Sequence, residues 1–129
     1  MRRAIAAVLL LVTACASSAG SGSPPRTLAV GWADKGHTVE LHQNDSLVVR
    51  LASTYWQFQP VTDGVLRAGK RVVRAGPSRV PGSGSGVVAV TYRALRPGTV
   101  TINAGRVACG EAMRCVGGQA SYRVTVVVD

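Results

Sequence analysis

Two-residue alternation of apolar and polar side chains is the feature that most limits what this chain can become. In Ser46–Leu51, "SLVVRL", the residues Leu47, Val49 and Leu51 share one face. Val87–Leu95, "VVAVTYRAL", sets Val88, Val90 and Tyr92 on one face, with Thr91 and Arg93 on the other. Gly98–Asn103 alternates Val100 and Ile102 against Thr99 and Thr101, and Ser121–Asp129 aligns Tyr122, Val124, Val126 and Val128. Successive side chains of a strand point to opposite faces, so each segment offers one apolar face to a core. Shorter candidate strands are Thr27–Trp32, His37–Leu41 and Lys70–Ala75, with turn signals such as "ADKG", "HQND", "TDG", "RPG" and "VGG" between them. Seven or so short strands in about 100 residues imply an all-β fold, an antiparallel immunoglobulin-like β-sandwich, with a small barrel as the alternative.

The N-terminus sets the expected address. Arg2 and Arg3 precede an apolar run, Ala4–Val12, that is too short to span a bilayer, which takes about 20 residues, and that suits a secretory signal peptide. Val12-Thr13-Ala14-Cys15 resembles the lipobox of bacterial lipoproteins. That resemblance implies cleavage before Cys15, a diacylglyceryl thioether on its sulfur and acylation of the new amino group. Residues 1–14 are then a lipoprotein signal peptide. Residues 15–26 are the lipidated cysteine with a Gly/Ser/Pro spacer, and residues 27–129 are the folded domain. The expected location is the extracytoplasmic face of the cell membrane, lipid-anchored. The competing reading is an ordinary secreted protein in which Cys15 happens to lie near the cleavage site.

With Cys15 assigned to lipid, Cys109 and Cys115 remain, and an even pair in an exported protein is most economically a disulfide closing "CGEAMRC". Two cysteines with no nearby histidine do not make a tetrahedral metal site, so no metal is expected. The formal charge of +9 becomes +7 without Arg2 and Arg3, which favours anionic partners such as phospholipid head groups, wall polyanions or acidic proteins. Nucleic acid is not an expected partner of an exported domain.

Catalysis finds little to work with. His37 and His42 are five residues apart on one candidate strand and so point to opposite faces. The carboxylates Asp34, Glu40, Asp45, Asp63, Glu111 and Asp129 are scattered, and no serine sits in a nucleophile-elbow context. "GSGSG", Gly82–Gly86, lacks the Lys-Ser/Thr and the helix that a phosphate loop requires. The chain reads as a non-enzyme without a cofactor, and as a monomer.

Binding fares better, since sandwich domains carry their contacts on loops at one end of the sheets. Three segments can supply such loops: "STYWQFQP" (Ser53–Pro60), "PGSGSG" (Pro81–Gly86) and "NAGRVACGEAMRC" (Asn103–Cys115). Their order resembles the chagasin-type inhibitors of papain-like cysteine peptidases. In that family a strand leads to an Asn-Pro-Thr-Thr-Gly-Tyr/Phe loop, then come a Gly-rich loop before a long strand, an Arg-Pro-Trp-like loop and a terminal strand. Here Ser53, Thr54 and Tyr55 stand in place of the longer first motif. Gly82, Gly84 and Gly86 lie in the Gly-rich loop, and Arg106 matches the arginine of the third. The Asn-Pro-Thr-Thr-Gly core is absent and the third loop has no tryptophan. The resemblance implies an immunoglobulin-like fold whose loops wedge into a peptidase cleft without covalent chemistry. The lipobox, the "STYW" stretch and the "CGEAMRC" loop together also resemble actinobacterial lipoproteins.

The aromatic run Tyr55, Trp56 and Phe58 is the pivot of this reading. Continuing the parity of Leu47, Val49 and Leu51 puts Tyr55 on the core face and Trp56 and Phe58 opposite, unless a bulge or strand crossing intervenes. Packing against the core or its edge is the leading expectation for Trp56 and Phe58, with surface contact as the rival. "GSGSG" reads as a flexible connector that also permits close backbone approach. Arg67, Lys70, Arg71, Arg74 and Arg79 read as a solvated hairpin or as a patch for an anionic surface. The leading function is a membrane-anchored binding domain whose partner is a papain-like peptidase or another envelope protein. The alternative is an interaction lipoprotein that uses its basic face on anionic wall material or a membrane partner.

Overall fold

The structure, a computed structural model, describes residues 23–129. Cys15, the expected signal peptide and most of the expected spacer lie outside the described residues. Among the described residues ten strands form: β1 (Thr27–Val30), β2 (Thr38–Leu41), β3 (Ser46–Ala52), β4 (Gln57–Phe58), β5 (Leu66–Ala75), β6 (Gly86–Ala94), β7 (Gly98–Gly105), β8 (Ala108–Gly110), β9 (Met113–Arg114) and β10 (Ser121–Val128). One sheet has the order β1-β3-β6-β5, the other β2-β10-β7-β4, and β8 and β9 make a separate hairpin. The fold is an immunoglobulin-like β-sandwich.

Apart from β5, the longest strand and an exposed one without such a period, the long strands are those with the strongest alternation, and their apolar residues meet between the sheets. Leu47, Val49, Leu51, Val88, Val90 and Tyr92 from the first sheet pack over Val100, Ile102, Tyr122, Val124, Val126 and Val128 from the second. Burying an aliphatic or aromatic side chain of this size contributes about 1.5–3 kcal/mol, so the facing rows carry most of the stability.

Two pairings depart from a purely antiparallel sandwich. β1 runs parallel to β3, and β2 runs parallel to β10. The chain passes from β1 to β2 through a single 3₁₀ turn, Trp32–Asp34, and so changes sheets without reversing direction at a hairpin. Asp34 Oδ2 accepts the Gly31 N–H at 2.9 Å and holds that crossing. His37 and His42 do not share a strand: they bracket the four-residue β2, and both are exposed.

The sandwich therefore has two poles. Arg26, the His42–Asp45 turn, Ala94 and Asp129 lie at one. Asp45 there is buried, accepts the Arg26 and His42 backbone N–H groups at 2.9 Å each, and pairs with the Arg26 side chain. β3 climbs from this pole to the other, where β3 ends, β6 begins and β7 ends. At about 3.3 Å per residue, the seven residues of β3 separate the poles by roughly 20 Å.

Candidate functional site

β3 leaves its sheet at Ser53, whose φ of 104° is a conformation that L-residues seldom adopt. The next three residues carry the chain across to the second sheet, where Gln57 and Phe58 pair with Gly105 and Ala104. This crossing cancels the strand parity and corrects the expected placement of Tyr55. Tyr55 is half-buried at the surface rather than on the core face, while Trp56 is only 1% exposed. Phe58 packs, half-buried, against the edge of the core. Backbone strain of this kind persists only where surrounding contacts impose it, and here they are numerous.

Much of the restraint comes from the Gly-rich loop. Ser53 N–H donates to the Gly86 carbonyl at 2.9 Å, Thr54 N–H to the Gly84 carbonyl at 3.0 Å, and the Tyr55 hydroxyl to the Gly82 carbonyl at 2.6 Å. The "GSGSG" segment is thus a hydrogen-bonded partner of the first loop, not a free connector. Glycine is required at its centre: Gly84 has φ +66°, and a Cβ there would sit 2.6 Å from Tyr55 Cδ2. Gly86, with φ +138°, likewise has no room for a Cβ beside the Arg74 carbonyl. Arg71 completes the frame from β5. Its guanidinium reaches inward, donating from Nη2 to the Thr54 carbonyl at 3.0 Å and to the Trp56 carbonyl at 2.9 Å. The expected basic patch therefore loses Arg71, which is a clamp on the first loop.

Trp56 is the anchor of the pole. Its indole N–H donates to the Ala52 carbonyl at 2.9 Å, and its ring meets Trp32 at 5.8 Å between centroids. Trp32 in turn lies 6.4 Å from Tyr122 and carries Lys35 Nζ 4.7 Å above its ring. On Trp56 itself sits Arg106, guanidinium carbon 4.5 Å from the ring centroid, with Nε–H donating to the Gln119 carbonyl. A guanidinium so placed gains about 0.5–2 kcal/mol from the ring quadrupole. Partial burial pushes the Arg106 pKa down from its ordinary value, and an arginine at neutral pH remains charged all the same.

Arg106 opens the third loop. Cys109 and Cys115 are joined by a disulfide across the β8–β9 hairpin. That bridge presents apolar side chains to solvent: Val107 is 87% exposed, and Met113 and Val116 stand out beside it. An open groove of about 670 Å³ lies between the first and third loops, lined by Tyr55, Phe58, Pro60, Arg106 and Val107. A second of about 570 Å³ runs along the other flank, past Val107, Met113, Arg114 and Cys115. Arg106 and Val107 line both and so form the ridge between them.

The three sequence-designated segments thus stand together at one pole. Ser53, Thr54, Tyr55, Gly82, Gly84 and Gly86 are directly bonded or in contact, and Trp56 joins them to Arg106. Trp32 and Arg71 belong to the same frame and were not singled out from sequence, where Trp32 looked like the end of a strand and Arg71 like one of a run of surface charges. Val107, Met113 and Val116 were also missed, although apolar residues beside and within a short disulfide loop cannot reach a core and have no place to go but outward. Among the described residues no cluster of histidine, cysteine and carboxylate side chains has the makings of a metal site, and no helix is long and apolar enough to cross a membrane.

By sequence the chain matches no protein-family model and no curated protein. By structure it is similar to the cysteine protease inhibitor EhICP2 from Entamoeba histolytica, with a TM-score of 0.61, 15% identity, and coverage of 84% of this chain and 100% of that one. It is also similar to amebosin, with a TM-score of 0.51, 12% identity, and coverage of 83% and 100%. These likenesses show a shared fold.

Proposed function

We propose that this protein is a reversible, non-catalytic inhibitor of papain-like cysteine peptidases, held on the outer face of the cell membrane through lipid on Cys15. The observation that carries the reading is the convergence of the first, Gly-rich and third loops at one pole, with Arg106 stacked on Trp56 at their junction. The ridge of Arg106 and Val107, flanked by the two grooves, has the shape of a wedge. A wedge loses little entropy on binding when its loops are already ordered, and here hydrogen bonds and a disulfide order them before any partner arrives. The similar fold of a protein described as a cysteine protease inhibitor supports the same reading. The polarity of the domain is consistent with anchoring: the segment that precedes β1 enters at the pole opposite the loops, so a tether there does not cover the wedge.

The test is inhibition of papain and related peptidases by the purified Cys15→Ser chain. Inhibition is expected to be competitive, sub-micromolar and weakened by Arg106→Ala. Failure against every papain-like peptidase tried would leave the fold without this activity. For the anchor, Cys15→Ser should move the protein from the detergent phase to the aqueous phase and remove the acyl mass.

A further inference from the structure

The outward face of the β1-β3-β6-β5 sheet has a charge pattern that neither the core nor the loop pole uses. Register places Arg67 directly opposite Arg93, with Ser46 next in the same row. Arg50 pairs with Ala89 and so with Val72, while Arg74 pairs with Val87 and so with Ala52. The residues Arg50, Arg67, Arg74 and Arg93 therefore project from one face. No aspartate or glutamate occurs in any of the four strands. The outer face of the other sheet carries Arg123 and Glu40 and is balanced. Among the described residues the ion pairs are Arg26–Asp45 and His42–Asp129, so none of the four arginines has a carboxylate partner.

Two details point to the kind of partner. Like charges directly opposite on neighbouring strands destabilise a sheet, so the Arg67–Arg93 pair costs stability that an anion between the two guanidinium groups would return. The arginines also stand around an apolar floor, a shallow groove of about 310 Å³ lined by Val48, Val72, Val87 and Ala89 together with Arg50 and Arg74. Val72 is 49% exposed. A soluble polyanion needs the guanidinium groups but has no use for valines. A membrane interface offers phosphates to the one and the glycerol–acyl boundary to the other.

We infer that this face docks on an anionic phospholipid surface. The face runs along the length of the sandwich between the two poles, so lying on a membrane leaves the loop pole free at the end. The inference does not depend on the loops being inhibitory.

The experiment is vesicle flotation of the full chain carrying Cys15→Ser, on phosphatidylglycerol mixed with phosphatidylcholine and on phosphatidylcholine alone. The N-terminal apolar segment is present throughout and drops out of the comparison. The expected result is a preference for the anionic vesicles that falls at least about tenfold when Arg50, Arg67, Arg74 and Arg93 are changed to Gln. It should also fall with added salt and be kept by the four Arg→Lys changes. The pair Arg67→Gln/Arg93→Gln alone should fold at least as stably as the parent and still weaken binding several-fold, which covers a failure of the fourfold variant to fold. A loss in proportion to the three charges removed by Arg79→Gln/Arg114→Gln/Arg123→Gln would show a net-charge effect and overturn the inference. So would tight binding to soluble teichoic acid with no preference among vesicles.

Discussion

Gly84→Ala tests the coupling between the first two loops. At φ +66° an alanine pays the left-handed penalty of about 1–2 kcal/mol, partly offset by about 0.4–1 kcal/mol from a stiffer unfolded chain. Its Cβ would lie 2.6 Å from Tyr55 Cδ2 and 3.2 Å from Ser53 Oγ, so the Tyr55 ring must swing away. That movement gives up the hydrogen bond to the Gly82 carbonyl, worth a net 0.5–1.5 kcal/mol, roughly. The sum is about 2 kcal/mol, or on the order of 10 °C in Tm for a domain of about 100 residues. Urea unfolding measures it directly. The decisive control is Tyr55→Ala, which removes the clashing ring in advance, so Gly84→Ala on that background should cost only about 1 kcal/mol. Distant, independent sites add to within about 0.3–0.5 kcal/mol. If the two changes add to that tolerance, the ring is not what Gly84 accommodates, and the argument for a jointly ordered pair of loops fails. In the inhibition assay Gly84→Ala should weaken binding, whereas an exposed change such as Arg79→Gln should not.

Arg71→Met should remove the donors to the Thr54 and Trp56 carbonyls and cost about 1.5–3 kcal/mol by chemical denaturation; Arg71→Lys should recover only part, because an ammonium cannot reproduce the guanidinium fork. Tyr122→Phe should be neutral or stabilising in the same assay, since the buried Tyr122 hydroxyl meets no hydrogen-bond partner among the described residues and burial, with Asp34 contributing, has pushed its pKa up to about 12. A destabilised Tyr122→Phe would show that the hydroxyl has a partner after all. Asp45 is held below the usual carboxylate value of 3.8 by the N–H groups of Arg26 and His42. Its unfolded form thus binds a proton first, and its contribution is complete above 3.8 and is lost as pH falls through the lowered folded value. Asp45→Asn should therefore flatten the acid limb of Tm against pH and leave the limb above neutrality unchanged.

What the sequence determined by itself was everything that depends on a local period. Alternation in Ser46–Leu51, Val87–Leu95, Gly98–Asn103 and Ser121–Asp129 named the core faces of four strands, because a strand has only two faces and water selects between them. The even pair left when Cys15 is set aside for lipid pointed to the Cys109–Cys115 bridge, and order along the chain singled out the three loops. The aromatic run defeated this logic at Ser53, where a positive φ at a residue other than glycine turns the chain into the facing sheet. From there onward the count from Leu51 no longer says which side is in. Tertiary structure alone decided that Trp56 fills the gap between the sheets, that Arg71 leaves its charged neighbours to bind two carbonyls, and that Arg106 lies on the Trp56 ring. It alone also placed Arg50, Arg67, Arg74 and Arg93 on one face, since they come from three strands whose neighbours are set by register across the sheet. Periodicity is carried by adjacent residues and survives in the bare sequence. Convergence depends on which strands pair and in what register, and that is settled only when the two sheets close over one core.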